Sequence, residues 1–265
     1  MRPGGRVPHP NVAPMDRPVP PQVIPRPPTW RPGEPAPWGD LDERTRHGLS
    51  VERILGVLDR QGQLGAAPTG LATGQVLDPA VALDERALPG LRQVSSAVLA
   101  ALFEEAGEAR LIFTRRSTAL RSHRGEVSFP GGRLDPGEGP VEAALREAEE
   151  EIGLDSALVT PVGWIHPVFT LASGSLIMPV VATVETRPHL RASPAEVERI
   201  FDVSLRELAD PAVFHEERWR IEGREIPDSA DNSFAVWFFE VKGEMIWGAT
   251  ARMIHELLSL VLLLG

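Results

Sequence analysis

Three glutamates, Glu147, Glu150 and Glu151, stand within five residues of one another in a run of strong helix formers. Residues 139–152 include Ala143, Ala144, Leu145 and Ala148 and run into Ile152-Gly153, where a glycine suits a left-handed helix cap. At about 100° per residue, Glu150 lies about 60° behind Glu147 and Glu151 about 40° ahead of it, so all three carboxylates share one face. Like charges packed in this way repel, and a divalent cation relieves the repulsion; oxygen-only ligands suit Mg2+ or Mn2+. Val141, Ala144, Leu145, Ala148 and Ile152 fall on an adjacent arc and form the predicted buried stripe, while Glu142 and Glu149 point away from both. Arg146 is four residues from both Glu142 and Glu150, a spacing at which an arginine holds a carboxylate by an ion pair.

A charge run such as EAEEE is commonly no more than a solvated helix face. The approach to this helix weighs against that reading. Phe129-Pro130-Gly131-Gly132 places two glycines just upstream, and glycine lets backbone carbonyls and amides come close to a metal or a phosphate. The expected metal ligands are therefore Glu147, Glu150 and Glu151 with the Gly131 carbonyl. A cation held there lowers the pKa of bound water and neutralises charge on a departing phosphate. A general base is also needed, and the sequence leaves it between Glu147 and a downstream acid such as Glu196 or Glu198.

The fixed points extend beyond the three acids: Gly132, five residues, Glu138, seven residues, Arg146-Glu147, then Glu150-Glu151, Gly153 and Leu154. This spacing resembles the box of the Nudix hydrolase family, whose members split diphosphates linked to another group. The resemblance implies an α/β/α sandwich around a mixed β-sheet and a catalytic set of Glu147, Glu150 and Arg146, with the arginine orienting a carboxylate. Ala148 is small where that box prefers a larger aliphatic residue, a departure that bears on packing.

Upstream, Arg116-Ser117, Leu120-Arg121, His123, Gly125-Glu126-Val127 and Phe129 to Gly132 resemble the extra motif of the coenzyme A diphosphatase branch of the family. Ser173-Gly174, Met178 to Val181 and Ile246 to Arg252 also resemble it, so the likeness spans about residues 93–256. The chain has no tyrosine, so any contact that branch makes through a tyrosine ring is absent or replaced. Residues 115–133 hold five arginines and one histidine against a single acid, Glu126, in a chain of net charge −10. A substrate with a diphosphate and a separate 3′-phosphate explains such a patch, because guanidinium forks match phosphate oxygens. Arg115, Arg116, Arg121 and His123 are the expected substrate-binding residues. Arg124 and Arg133 are divided evenly between that role and pairing with the acidic helix, and His123 has no second histidine or cysteine at metal spacing.

Around these residues the chain divides unevenly. Thirteen of the 26 prolines lie in the first 40 residues, where apolar periodicity is missing, so residues 1–40 are expected to be a disordered proline-rich arm whose removal costs little. Residues 41–92 form a lead-in with a short helix capped by Ser50 and running to Gln61, then a loop. Residues 93–265 form the catalytic domain. Within it, residues 95–103 and 110–114 predict a hairpin, residues 159–168, 176–186 and 234–241 predict strands, and a helix starts near Thr250. The closing LLSLVLLLG is too short to span a membrane, and no secretory signal stands at the start. The absence of cysteine fits a reducing cytoplasm, and the acidic balance argues against a nucleic-acid partner.

These features predict a Mg2+- or Mn2+-dependent hydrolase of a small-molecule substrate, coenzyme A or an acyl-CoA, yielding 3′,5′-ADP and a 4′-phosphopantetheine. The alternatives are another nucleoside diphosphate derivative, such as ADP-ribose, a dinucleotide or a nucleoside triphosphate, or a non-catalytic nucleotide-binding module. No membrane partner is expected, and a homodimer is left open.

Overall fold

A computed structural model describes residues 22–65, 94–120, 122–170, 175–223, 226 and 229–265. The first elements are β1 (Trp30–Pro32), α1 (Glu43–His47) and α2 (Val51–Arg60), the last capped by the Ser50 side chain on the Arg53 amide. The expected hairpin is β2 (Ser96–Glu105) and β3 (Glu108–Arg116). Its two-residue loop, Ala106-Gly107, has positive φ at both positions, as a primed turn between twisted strands requires. Two short strands, β4 (Val127–Ser128) and β5 (Gly131–Arg133), lead into α3 (Pro140–Ile152). Next come β6 (Val159–Trp164), β7 (Val168–Thr170), β8 (Ser175–Val184) and β9 (Val197–Ser204). The chain closes with α4 (Leu205–Leu208), β10 (Phe214–Trp219), β11 (Phe234–Val241), β12 (Glu244–Trp247) and α5 (Gly248–Leu263).

Strands β2 to β9 form an eight-stranded sheet along β4-β3-β2-β8-β6, with β5 on β2, β7 on β8 and β9 on β3. The sheet is mixed: β2 and β8 are parallel, and the other pairings are antiparallel. Alternation along the central strands gives each face its own core. Ala97, Leu99, Ala101 and Phe103 of β2 meet Ala143, Ala144, Ala148 and Ile152 of α3. Ala100 and Leu102 of the same strand join Ile54, Leu58, Ile254, Leu257 and Leu258 of α2 and α5 on the other side. This is the expected α/β/α sandwich. The buried stripe of α3 is shifted slightly, for Ala143 is fully buried while Val141 and Leu145 are only partly so.

The arm boundary at residue 40 requires correction. Residues 1–21 of the expected arm lie outside the described residues, but residues 22–40 are packed. A second, four-stranded sheet runs β1-β10-β11-β12, with Trp30, Arg31 and Pro32 paired to Trp219, Arg218 and Glu217. Trp38 is fully buried between Phe214 and Phe239. Arg26 Nε donates to both oxygens of the buried Glu217, at 2.8 and 3.1 Å, and Trp219 Nε1 donates to the same carboxylate at 2.7 Å. A proline-rich stretch lacks periodicity, yet one buried indole and one ion pair suffice to fasten it.

Candidate active site

The acidic helix is built against local preference. Glu149, Glu150 and Glu151 occupy the last turn of α3, which carries no basic residue, although a helix C-terminus favours cations. Gly139 caps the other end without a side-chain hydrogen bond, Pro140 stands at the first position, and Gly153 closes the helix at φ 63°. The acids therefore answer to a requirement outside helix stability.

Glu151 is the deepest of them, 1% exposed. Its Oε1 accepts from Arg116 Nη1 at 3.1 Å and its Oε2 from the Gly131 amide at 3.2 Å. Burial pushes its carboxyl up to about 7, with the Glu147 and Glu196 charges adding, against the opposing pull of Arg116 and the Gly131 N–H. Glu147 is also raised, first by burial, with Glu150 and Glu196 adding and Arg146 opposing. Glu150 lies at the rim, its side chain 61% exposed.

Arg146 is the hub of the rim. Its guanidinium forks onto Glu138 at 2.9 and 3.0 Å, donates to Glu147 Oε1 at 3.0 Å and the Arg133 carbonyl at 3.0 Å, and reaches Glu150 at 3.4 Å. One planar cation thus sets the direction of two box carboxylates, and the fixed Glu138 anchors that cation. Gly131, just ahead of the box, is dictated by close approach to backbone, whereas Gly132 faces the movable end of the Glu147 side chain. A Cβ on Gly132 would stand 2.3 Å from Glu147 Oε1, and one on Gly131 would stand 2.3 Å from the Ala97 carbonyl oxygen of β2.

The segment between β8 and β9 supplies a fourth acid. Arg191 and Ser193 donate their amides to the Ile152 and Glu151 carbonyls at the end of α3, each at 2.8 Å, and Ser117 donates to the Glu196 carbonyl at 2.7 Å. This brings the exposed Glu196 close enough for its charge to act on both Glu147 and Glu151. Glu198, the other acid considered from sequence, instead lies 3.4 Å from Arg115.

The expected substrate residues separate. Arg116 points at the carboxylates. Arg115 does not, which corrects its assignment: it is 3% exposed and ion-paired to the buried Glu244. The two arginines straddle a slip in the β3–β9 register and take different partners, Glu244 for Arg115 and Glu151 for Arg116. His123 stands in an exposed turn with Nδ1 2.9 Å from Glu126. Arg121 lies outside the described residues. Sequence reasoning missed Glu244 and Arg199, although a lone acid opening the apolar EMIW strand was a signal.

The donors fit a hard divalent cation. They are oxygens only, and burial and mutual repulsion raise Glu147 and Glu151 together, a cost that a cation relieves. Among the described residues no group of three or more acidic, histidine or cysteine side chains is placed so that it could hold a metal ion as it stands. Arg116 holds Glu151, while Arg146 holds Glu147 and Glu150.

Fold and site together define a hydrolase whose acidic helix lies across one face of a mixed sheet. Residues 94–226 match the NUDIX domain, and the chain belongs to the Nudix family. It is 37% identical over 148 residues to the "Uncharacterized Nudix hydrolase NudL" of Photorhabdus laumondii, covering 56% of this chain and 74% of that protein. It is 31% identical over 172 residues to "Nudix hydrolase 3" of Caenorhabditis elegans, covering 62% and 72%. The crystal structure of a Nudix hydrolase from M. smegmatis, RenU, overlaps 42% of the chain and 70% of its own, at 22% identity and a TM-score of 0.37. The protein is thus a Nudix hydrolase acting on the pyrophosphate bond of nucleoside diphosphate derivatives. Nudix hydrolases use divalent metal cations.

Proposed function

We propose that the protein hydrolyses the diphosphate of coenzyme A or an acyl-CoA, giving 3′,5′-ADP and a 4′-phosphopantetheine, in the cytoplasm. The observation that carries this reading is the Arg116–Glu151 contact, which joins the basic 116–126 segment directly to the acidic helix. Around it Gly125 donates its amide to the Arg116 carbonyl at 3.1 Å and Arg116 donates to that of Glu126 at 2.9 Å, so the segment closes on itself at the edge of the site. Arg124 and Arg133 are exposed there and supply cationic contacts for phosphate oxygens, and the exposed His123 ring adds a hydrogen-bonding group.

Glu147, Glu150, Glu151 and the Gly131 carbonyl would hold Mg2+ or Mn2+, which would supply charge neutralisation and a more acidic water. Arg146 keeps Glu147 and Glu150 in register, and Arg116 does the same for Glu151. Glu196 is the general base and takes the proton of the attacking water. The water oxygen bonds to one phosphorus, the bond from that phosphorus to the bridging oxygen breaks, and the bridging oxygen leaves with the other phosphate.

The test is kcat/KM for coenzyme A against dephospho-coenzyme A, ADP-ribose, NADH and a nucleoside triphosphate. One charge-assisted contact to the 3′-phosphate, worth about 1.5–3 kcal/mol, gives a roughly tenfold to hundredfold preference over dephospho-coenzyme A. A higher kcat/KM for dephospho-coenzyme A or ADP-ribose ends the coenzyme A assignment and leaves the general diphosphatase.

A further inference from the structure

Arg115 and Arg199 are direct partners across the antiparallel pair β3–β9, and the register of that pair slips between Arg115 and Arg116. Two cations placed opposite one another destabilise a sheet, and a slip of this kind redirects the side chain beside it. Both features find their explanation in Glu244. Its carboxylate is 2% exposed; Oε2 accepts from Arg115 Nη1 at 2.5 Å and Oε1 from Arg199 Nη1 at 2.9 Å. Glu198 adds a second carboxylate 3.4 Å from Arg115 Nε. Glu244 opens β12 of the four-stranded sheet and lies outside the 94–226 Nudix match, so a strand beyond the family domain supplies the counter-ion for an arginine pair within it.

Whatever fixes Arg115 fixes the site edge. Arg116 follows directly and bonds Glu151 at 3.1 Å, and Ser117 holds the Glu196 carbonyl at 2.7 Å. A Cβ on Gly125 would stand 3.4 Å from Arg115 Nη2, so the guanidinium also lies against the basic segment from beneath. We propose that Glu244 is a positioning residue for hydrolysis: by clamping Arg115 and Arg199 at the slip in β3–β9, it holds Arg116 on Glu151 and seats residues 122–126 at the edge of the site. This rests on reading that segment as substrate-facing.

The experiment compares KM and kcat of the full chain with Mg2+ and coenzyme A, or with ADP-ribose should coenzyme A not turn over. In Glu244→Gln, KM is expected to rise at least tenfold, with a smaller fall in kcat. Glu244→Asp, which keeps the charge, should bring KM back to within about threefold of the parent. A purely structural role reduces the amount of active enzyme and leaves KM where it was. A folded Glu244→Gln protein with KM within twofold of the parent overturns the proposal. Should that variant not fold, Arg115→Met with Glu244→Met removes the two most buried charges of the clamp together, leaving the part-exposed Arg199, and is expected to show the same rise. His123→Ala with Arg124→Ala tests the underlying reading separately. If that pair leaves KM unchanged, the segment does not bind substrate; if it raises KM while Glu244→Gln does not, only the positioning role fails.

Discussion

At the scale of single residues, the chemistry rests on carboxylates that the fold keeps buried at a cost. Glu151 is expected to be the most sensitive, because it combines near-complete burial with contacts to Arg116 and Gly131. Glu151→Gln preserves shape and should cut kcat by on the order of a hundredfold or more through lost charge stabilisation. It should leave the melting temperature unchanged or raised, since a repelling buried charge is gone. Glu142→Gln and Glu149→Gln, on the outer side of α3, are the controls and should behave like the parent. Steady-state kinetics beside thermal melts decide the point; a Glu151→Gln enzyme within threefold of parent turnover removes Glu151 from the cation site. Arg146 and the three carboxylates of α3 share a face legible from spacing because a helix converts spacing directly into direction, whereas Glu138, ahead of α3, stood out only through the box pattern. The different fates of Arg115 and Arg116 were not legible. The partner that separates them, Glu244, is 129 residues from Arg115 along the chain, and only the folded strands bring the two together.

At the scale of elements, periodicity served where a segment has one buried face. Helix α3, the hairpin of β2 and β3, and the strand β11 form where residue patterns place them. Periodicity failed where a few specific contacts do the fastening. Residues 22–40 look like part of an unstructured arm, yet they contribute β1, the buried Trp38 and the cation that neutralises Glu217. Strand β10, FHEERW, reads as polar because Glu217 points inward to Arg26 and Trp219. Deleting residues 1–40 should therefore lower the melting temperature by several degrees or more. Emptying a site of this size costs about 3–5 kcal/mol, and the deletion also strands a buried carboxylate. Differential scanning calorimetry of the full and shortened chains measures this, and coincident transitions would show that the segment contributes nothing to stability.

At the scale of the whole molecule, charge is distributed against its own average. A chain of net charge −10 gathers a basic segment beside its most acidic helix, and the contact between them is the Arg116–Glu151 pair. The family sandwich holds the carboxylates, and the second sheet reaches into it through Glu244, so the site edge depends on both layers. The fold class was legible because the box motif carries a helix, its approach and its ligands together. The second sheet as a whole was not: β11 was legible, but its partners β1 and β10 carry prolines and charges in place of apolar alternation and lie far apart in sequence. The central claim, cation-dependent cleavage of a coenzyme A diphosphate, meets its most direct test in the identity of the products. Coenzyme A incubated with the wild-type protein and Mg2+ or Mn2+, then resolved by chromatography and mass spectrometry, should give 3′,5′-ADP and 4′-phosphopantetheine in equal amounts, and neither once the metal is chelated. Intact coenzyme A after incubation with either metal, or release of free phosphate in place of these two products, would contradict it.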